Sequence, residues 1–340
     1  MRDWDEVSKE LVASGLVSKE QILNGKIGRK YKSCFALTHE LNLYNQYLYP
    51  CCIPWPKKPY VLIDSNDCEK AIENYLSLRS SVMEQFNRTG ACDDYCNACP
   101  FLLEQHWLGA GKIKRITLSG TGFCQFRCAY CKVWHRADEP KSDFPLLIKA
   151  LKNKKLIDEN LSITLAQGEI AVHPQRDAII EACGKYLTKI FTNAGIYNDK
   201  IEGFLKSNNN SSLLVSMDAG TKETFAKIKG RNSYDRVCRN LKRYAQAGGK
   251  IELKYILLPG INDNTEDVDG FINLCHEINA MSVILSNETS NFANTWNSPL
   301  PFSSIDIARY INENALNQGF AVSLIFFNQA DIARIQHRDL

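Results

Sequence analysis

The sequence predicts an α/β protein: a partial barrel of parallel βα units preceded by a small cysteine-rich domain. Three observations predict it. From Lys112 onward, short β-rich runs alternate with longer amphipathic stretches, the pattern of parallel βα units. That part holds roughly 228 residues and six or seven such units, whereas a closed eightfold barrel takes about 250 residues, so an open barrel fits the length better. Ahead of it, seven of the thirteen cysteines crowd into the first hundred residues.

The elements follow in order. Residues 1–25 read as a short helix or two on Leu11, Val12, Leu16 and Ile22. Residues 26–112 hold aromatic-rich short segments, prolines at Pro54, Pro56 and Pro59, and a helical stretch near Asp67–Gln85. This region is expected to be organised around turns, with its rigidity coming mainly from something other than a sheet. The β runs are Ile113–Leu118, Leu161–Leu165, Thr188–Phe191, Leu213–Met217, Ile251–Leu258, Met281–Leu285 and Ala321–Phe327. Between them lie helical patterns near Phe144–Lys155, Arg176–Tyr186, Lys222–Ile228, Tyr234–Ala247, Thr265–Asn279 and Ser304–Gln318. The expected domains are 1–111, 112–290 and 291–340, the last a helix and strand that complete or flank the barrel.

Composition narrows the function. At 340 residues, 44 % apolar and 23 % charged, with no apolar run near twenty, the chain is neither disordered nor membrane-spanning in its pattern. A net charge of +3 gives no footprint for a nucleic-acid partner. The charged start MRDWDEVSKELVASG has no apolar signal segment, so a cytoplasmic protein is expected. In a reducing compartment, clustered thiols point to metal ligation or catalysis. Cys183, Cys238 and Cys275 fall singly inside helical patterns and read as buried apolar side chains, as does Cys68 in its helix.

The segment ITLSGTGFCQFRCAYCKVW places Cys124, Cys128 and Cys131 just after the first β run of the barrel, where sites in parallel βα proteins lie. Three thiolates from one loop fit a zinc ion, or a four-iron cluster with one iron left open to a non-protein ligand. Gly120 and Gly122 precede them, and Tyr130 stands where a ring could lie against a bound ring. Glu169 follows an apolar run, and a carboxylate there can accept bonds from an ammonium group or join a salt bridge. Asp218, in DAGT before KETF, can also cap the next helix. Lys254 interrupts an apolar strand. It either faces the barrel interior, toward a carboxylate of cofactor or substrate, or emerges at the rim beside Glu252.

CQFRCAYC matches, at every defined position, the CxxxCxxC motif of the radical S-adenosylmethionine enzymes, with its aromatic before the last cysteine. The resemblance covers about residues 112–290 and includes LAQGEI, FTNAG, VSMDAGTKETFAKIKG and KYILLPGINDN in the family's order. It implies a [4Fe-4S] cluster with an open iron on Cys124, Cys128 and Cys131, chelated by S-adenosylmethionine. It also implies that Gly168 and Glu169 meet the methionine amino group, although Gln167 replaces a usual glycine. By the same resemblance Tyr130, Asn193, Ser216, Asp218 and Lys254 line the cofactor pocket, and KYILLPGINDN turns near the adenine.

CFALTHELNLYNQYLYPCC and CDDYCNACP resemble the auxiliary-cluster domains called SPASM or Twitch, here placed ahead of the barrel and lacking the usual glycine. That implies one auxiliary [4Fe-4S] cluster on Cys34, Cys51, Cys96 and Cys99, with Cys52 able to replace Cys51 and Cys92 a further candidate. The activity implied is generation of a 5′-deoxyadenosyl radical and hydrogen abstraction from a small polar or glycosyl substrate, with oxidation assisted by the auxiliary cluster. Peptide cross-linking or epimerisation, sugar epimerisation and nucleotide chemistry are the alternatives. A non-enzymatic iron–sulfur electron carrier is the alternative of another class. The implied partners are the substrate and a flavodoxin- or ferredoxin-like electron donor, with no membrane. Trp55, Trp107 and Trp134 are read as packing between domains or as lining a sugar-binding mouth.

Overall fold

The computed structural model describes residues 30–51, 60–63, 67–89, 102–106, 111–119, 123–131, 143–166, 168–288 and 299–336, together with Lys9 and Ala13. Cys52, Cys92, Cys96, Cys99, Gly120, Gly122, Gln167 and the three tryptophans named above lie outside the described residues. The chain divides into two compact units. Unit 1 is 1–118 with 141–162, and unit 2 is 119–140 with 163–340. The contacts thus divide the chain at other positions than the three expected segments, because the strand and helix that open the βα pattern cluster with the N-terminal region.

Unit 1 contains β1 (Lys30–Ser33), α1 (Phe35–His39), β2 (Glu40–Tyr44), β3 (Tyr47–Tyr49), β4 (Val61–Leu62), α2 (Cys68–Thr89), β5 (Leu103–His106), β6 (Ile113–Ser119), α3 (Phe144–Asn153) and the start of β7 (Ile157–Leu165). β1 and β5 form an antiparallel pair, and β7, β6, β2, β3 and β4 are neighbours in that order. The expectation of a region held by something other than a sheet is therefore corrected. Leu41, Leu43 and Leu48 are fully buried on β2 and β3, and the antiparallel register Asn42 to Tyr49 joins those strands. Buried polar groups tie helices to this sheet. Arg79 Nε donates to the Leu37 carbonyl at 2.9 Å and its Nη2 to that of Thr38, closing the end of α1. Tyr75 donates to the Glu40 carbonyl, and Arg115 pairs with the Glu40 carboxylate.

Unit 2 contains α4 (Arg176–Cys183), β8 (Leu187–Thr192), α5 (Asp199–Ser207), β9 (Ser212–Ser216), α6 (Lys222–Lys229), α7 (Tyr234–Gln246), β10 (Lys250–Leu257), α8 (Thr265–Glu277), β11 (Ser282–Asn287), α9 (Phe302–Asn317), β12 (Ala321–Ile325) and α10 (Gln329–Ile335). Strands β8 to β12 are neighbours in chain order and all parallel. Their apolar runs reflect burial on both faces. One face packs on helices: Leu253, Tyr255 and Leu257 are fully buried, and the Tyr255 ring meets Phe271 of α8 edge-on at 5.0 Å. Alternation puts Glu252, Lys254 and Ile256 on the other face. Each expected β run from residue 113 onward is a strand, with ends shifted by up to four residues. Cys183 and Cys275 are buried as expected, and Cys238 is half-buried.

Candidate active site

Every described member of the site belongs to unit 2. The loop Phe123–Cys131, which follows β6, is fixed at both ends by backbone bonds. Glu169 N–H donates to the Phe123 carbonyl at 2.6 Å, Arg127 N–H to that of Lys229 at 3.1 Å, and Ala129 N–H to that of Ile228 at 2.8 Å. Two glycines let it sit this close. A Cβ on Gly195 would come within 2.7–2.9 Å of Gln125, Phe126 and Asn193, and one on Gly230, at φ 66°, would lie 2.9 Å from the Arg127 carbonyl. Cys124, Cys128 and Cys131 are free and half-buried. Burial pushes the Cys124 thiol up to about 11. Cys128 is raised by the same cause, against the opposing pull of the Lys229 charge. Asn193 donates from Nδ2 to Cys124 Sγ at 3.5 Å, a contact that suits a thiolate.

Tyr130 links this loop to the strand ends. Its hydroxyl donates to Asp218 Oδ2 at 2.6 Å and accepts from Lys229 Nζ at 2.9 Å. Lys229 Nζ also donates to Asp218 Oδ2 at 2.5 Å and to the Ser216 carbonyl at 2.6 Å. Lys229 and Asp218 are both wholly buried, 2 % and 0 % exposed. Asp218 Oδ1 accepts the Ile256 N–H at 2.7 Å, and the Asp218 carbonyl accepts Asn262 Nδ2 at 2.8 Å. Asp218 also adopts φ 60°, an uncommon conformation for a residue other than glycine. The carboxylate is thus engaged by three protein donors. It does not cap α6, because that helix starts on the Thr221 hydroxyl, which accepts the Thr224 N–H at 3.3 Å.

Glu169 is fully buried. Its Oε1 accepts the Ala171 N–H at 3.0 Å and the Thr192 hydroxyl at 2.8 Å, and its Oε2 accepts the Asn193 N–H at 2.6 Å. Gly168 before it adopts φ 92°, where glycine is favoured. The salt-bridge alternative for Glu169 gives way to these neutral donors. Burial outweighs them and holds the carboxyl above its usual range. The folded chain therefore binds this proton more tightly than the unfolded chain does. Stability is expected to fall as pH rises from about 4.5 through the raised value, and to level off above it. Urea midpoints of the apo chain between about pH 4 and about pH 7 check this, with Glu169→Gln flattening the decline.

Glu252 is taken by Lys189, at 2.8 Å, and by the Ser212 hydroxyl at 2.8 Å. Glu252 is therefore already paired on the strand face that it shares with Lys254. Ser216 is half-buried and stands next to Lys254 in register. In unit 1, Cys34 is buried against Leu37 and Val82, and its Sγ accepts the Leu37 N–H at 3.5 Å at the start of α1. Cys51 is half-buried. Among the described residues no group of three or more His, Cys, Asp or Glu closes around a single metal ion. Sequence reasoning missed Lys229, Thr192, Asn262 and Asp267, which look like ordinary helix, strand-end and turn residues in the sequence.

Residues 118–274 match the family described as the Radical SAM superfamily. That stretch, just under half of the chain, is similar to this superfamily of enzymes. GTP 3′,8-cyclase of Synechocystis is 29 % identical over 159 residues, 45 % of this chain and 48 % of the relative. The Clostridium botulinum enzyme of the same name is 25 % identical over 182 residues, 51 % and 55 % of the two chains. The chain thus spans about half the length of these curated relatives. Among solved structures, Streptococcus suis SuiB bound to S-adenosylmethionine aligns with a TM-score of 0.51 at 13 % identity, over 77 % of this chain and 57 % of that one. SuiB bound to precursor peptide SuiA aligns with the same TM-score and identity over 86 % and 72 %. These likenesses show a shared fold: a mixed α/β architecture with a multi-stranded sheet, consistent with a radical SAM partial barrel. No helix among the described residues is long and apolar enough to cross a membrane.

Proposed function

We propose that the chain removes a hydrogen atom from a carbon of a peptide, using S-adenosylmethionine and a [4Fe-4S] cluster held by Cys124, Cys128 and Cys131. The observation that carries the reading is the clamped loop, with three free thiols on a short segment locked by Glu169, Ile228 and Lys229. The residues fit the group. The donor set is all thiol, as iron–sulfur clusters require, and Asn193 already donates to one sulfur. Each thiol must lose its proton to ligate, and the Lys229 charge favours the thiolate of Cys128.

When bound, the cluster and cofactor supply a one-electron cleavage that yields the 5′-deoxyadenosyl radical. The chain's own residues position and shield. Tyr130 is held by Asp218 and Lys229, so its ring has little freedom beside Cys131. Asn193 and the neighbouring Glu169 form one rigid polar edge, and Ser216 stands at the end of β9 toward the same mouth. An error of about 1 Å in such placement costs about a hundredfold in rate, which is why a buried network here is consequential.

Support for a peptide comes from the fold shared with SuiB in complex with its precursor peptide, which extends over the larger part of this chain. It moves peptide modification ahead of the glycosyl substrate expected first. Sequence similarity to the GTP 3′,8-cyclases supports a nucleotide as the second reading. An auxiliary cluster on Cys34, Cys51, Cys96 and Cys99, and a flavodoxin- or ferredoxin-like donor, belong to the proposal.

Anaerobically reconstituted protein with S-adenosylmethionine and dithionite is expected to form 5′-deoxyadenosine, and Cys124→Ser, Cys128→Ser or Cys131→Ser to abolish it. Two four-iron clusters give about eight irons per chain, and Cys96→Ala with Cys99→Ala lowers this to about four. No 5′-deoxyadenosine from the iron-loaded wild type would overturn the reading.

A further inference from the structure

Among the described residues, Lys254 makes no ion pair. It sits in β10 between Ser216 of β9 and Ile284 of β11. Its own strand face is the one that Ile256 shares with Tyr130, so it belongs to the side of the sheet that bears the cysteine loop. Neighbouring carboxylates are already used, Glu252 by Lys189 and Ser212, and Asp218 by Lys229, Tyr130 and Ile256. The Lys254 ammonium has no hydrogen bond or ion pair among the described residues. Its only close partner there is the Phe326 ring, 5.6 Å from Nζ to the centroid. Burial lowers its proton affinity, the nearby Lys229 charge adds to this, and Asp218 opposes it. Among the described residues this cation has one ring and the more distant Asp218 charge to balance it, and no direct anionic partner, which leaves room for an anion supplied by a ligand.

The direction of the side chain says whose anion. Asn193, which contacts Cys124, follows the end of β8, two strand spacings or about 10 Å from β10 on one side. Phe326 follows the end of β12, two strands away on the other side. The Lys254 ammonium thus meets a ring on the β12 side of its strand, while it also feels the charges of Asp218 and Lys229. Phe326 itself adopts φ 61° and is 38 % exposed. A bulky residue in the left-handed region is a strained feature of the kind that persists at ligand clamps.

We propose that Lys254, backed by the Phe326 ring, forms a subsite for an anionic group of the substrate, a carboxylate or a phosphate. This rests on the reading of the chain as a radical enzyme and deepens it, because it makes the substrate acidic. In the peptide reading the group is an Asp or Glu side chain near the modified residue. In the nucleotide reading it is the phosphate chain.

The test is calorimetric titration of the reconstituted full chain, with S-adenosylmethionine present. The probes are tri-glutamate against tri-glutamine, and GTP against guanosine. One anionic probe is expected to bind about tenfold or more tightly than its neutral counterpart. Lys254→Met should lose that preference and Lys254→Arg retain it. A preference for tri-glutamate assigns a carboxylate, and one for GTP a phosphate. The proposal fails if neither anionic probe is preferred by the wild type, or if the preference survives in K254M. It fails equally if K254M instead loses affinity for S-adenosylmethionine, which would give the lysine to the cofactor. Should K254M not fold, the wild-type preference decides alone. Cleavage to 5′-deoxyadenosine without an anion preference removes this subsite only, whereas absence of cleavage removes the wider reading.

Discussion

Lys229→Met is expected to lower the unfolding free energy by about 3–5 kcal/mol, because it leaves Asp218 buried and ionised with its cation gone. The magnitude follows from burial. Both partners are 2 % exposed or less, so water cannot take over the lost contacts as it does at a surface pair. Lys229 also spends its other two bonds inside the protein, on Tyr130 and on the Ser216 carbonyl. The double variant Lys229→Met, Asp218→Asn removes both charges while the Asn oxygen still accepts from Ile256. It should recover about 2 kcal/mol relative to the single variant. Urea titration of the four proteins completes the cycle. Additive losses would show that the pair does not act as a unit. The same substitution frees Tyr130, so iron retained on the Cys124–Cys131 loop after gel filtration should drop even where the chain stays folded.

Gly220→Ala should be harsher still. A Cβ there would lie 2.0 Å from the Asp267 carbonyl oxygen and 2.5 Å from the Phe271 nitrogen, and both are backbone atoms of α8. Neither can swing aside as a side-chain tip does. The reverse face is equally tight, because a Cβ on Gly270 would lie 2.3 Å from the Gly220 carbonyl oxygen. This contact seats α6 against α8. Asp267 Oδ1 accepts the Gly220 and Thr221 N–H groups at 3.1 and 3.0 Å, and Oδ2 accepts the Thr224 hydroxyl at 2.7 Å. Separating the two helix starts would unmake all of these, so a loss above about 4 kcal/mol is expected, seen as insoluble protein or a collapsed thermal transition. Gly203→Ala is the control. It stands in α5 with nothing within 4 Å of its Cβ, and it should gain about 0.5–1 kcal/mol.

The parallel strands were legible because their apolar runs are short, bounded and buried on both faces. Helix α5 was not. Asp199–Ser207 offers only Ile201, Phe204 and Leu205 to the core and carries a glycine, so its sequence reads as a polar connection. Helix α10 was hidden because it is short and follows directly on a β run that the pattern extends to Phe327. In unit 1, Glu40 and Asn42 obscure β2: both are polar, yet 3 % exposed, and a strand buried on both faces shows no alternation.

The cysteine loop was legible from local spacing. Its anchors were not, because Lys229 reads as one more cation in the last turn of a helix, where cations are ordinary. Only tertiary structure brings it to Asp218 and Tyr130. Thr192 and Asn262 were missed for the same reason, since their bonds run to residues 23 and 44 positions away.

The sequence separation of the Tyr130 clamp has a consequence for biosynthesis. Tyr130 and Lys229 are 99 residues apart. At about 5–20 residues per second, a ribosome delivers the three thiols roughly 5–20 s before it delivers the ammonium that steadies them. Through that interval the loop carries its three thiols without the Tyr130–Lys229 bond. On the proposed reading, the loop that would hold the cluster is therefore steadied only after Lys229 has been made.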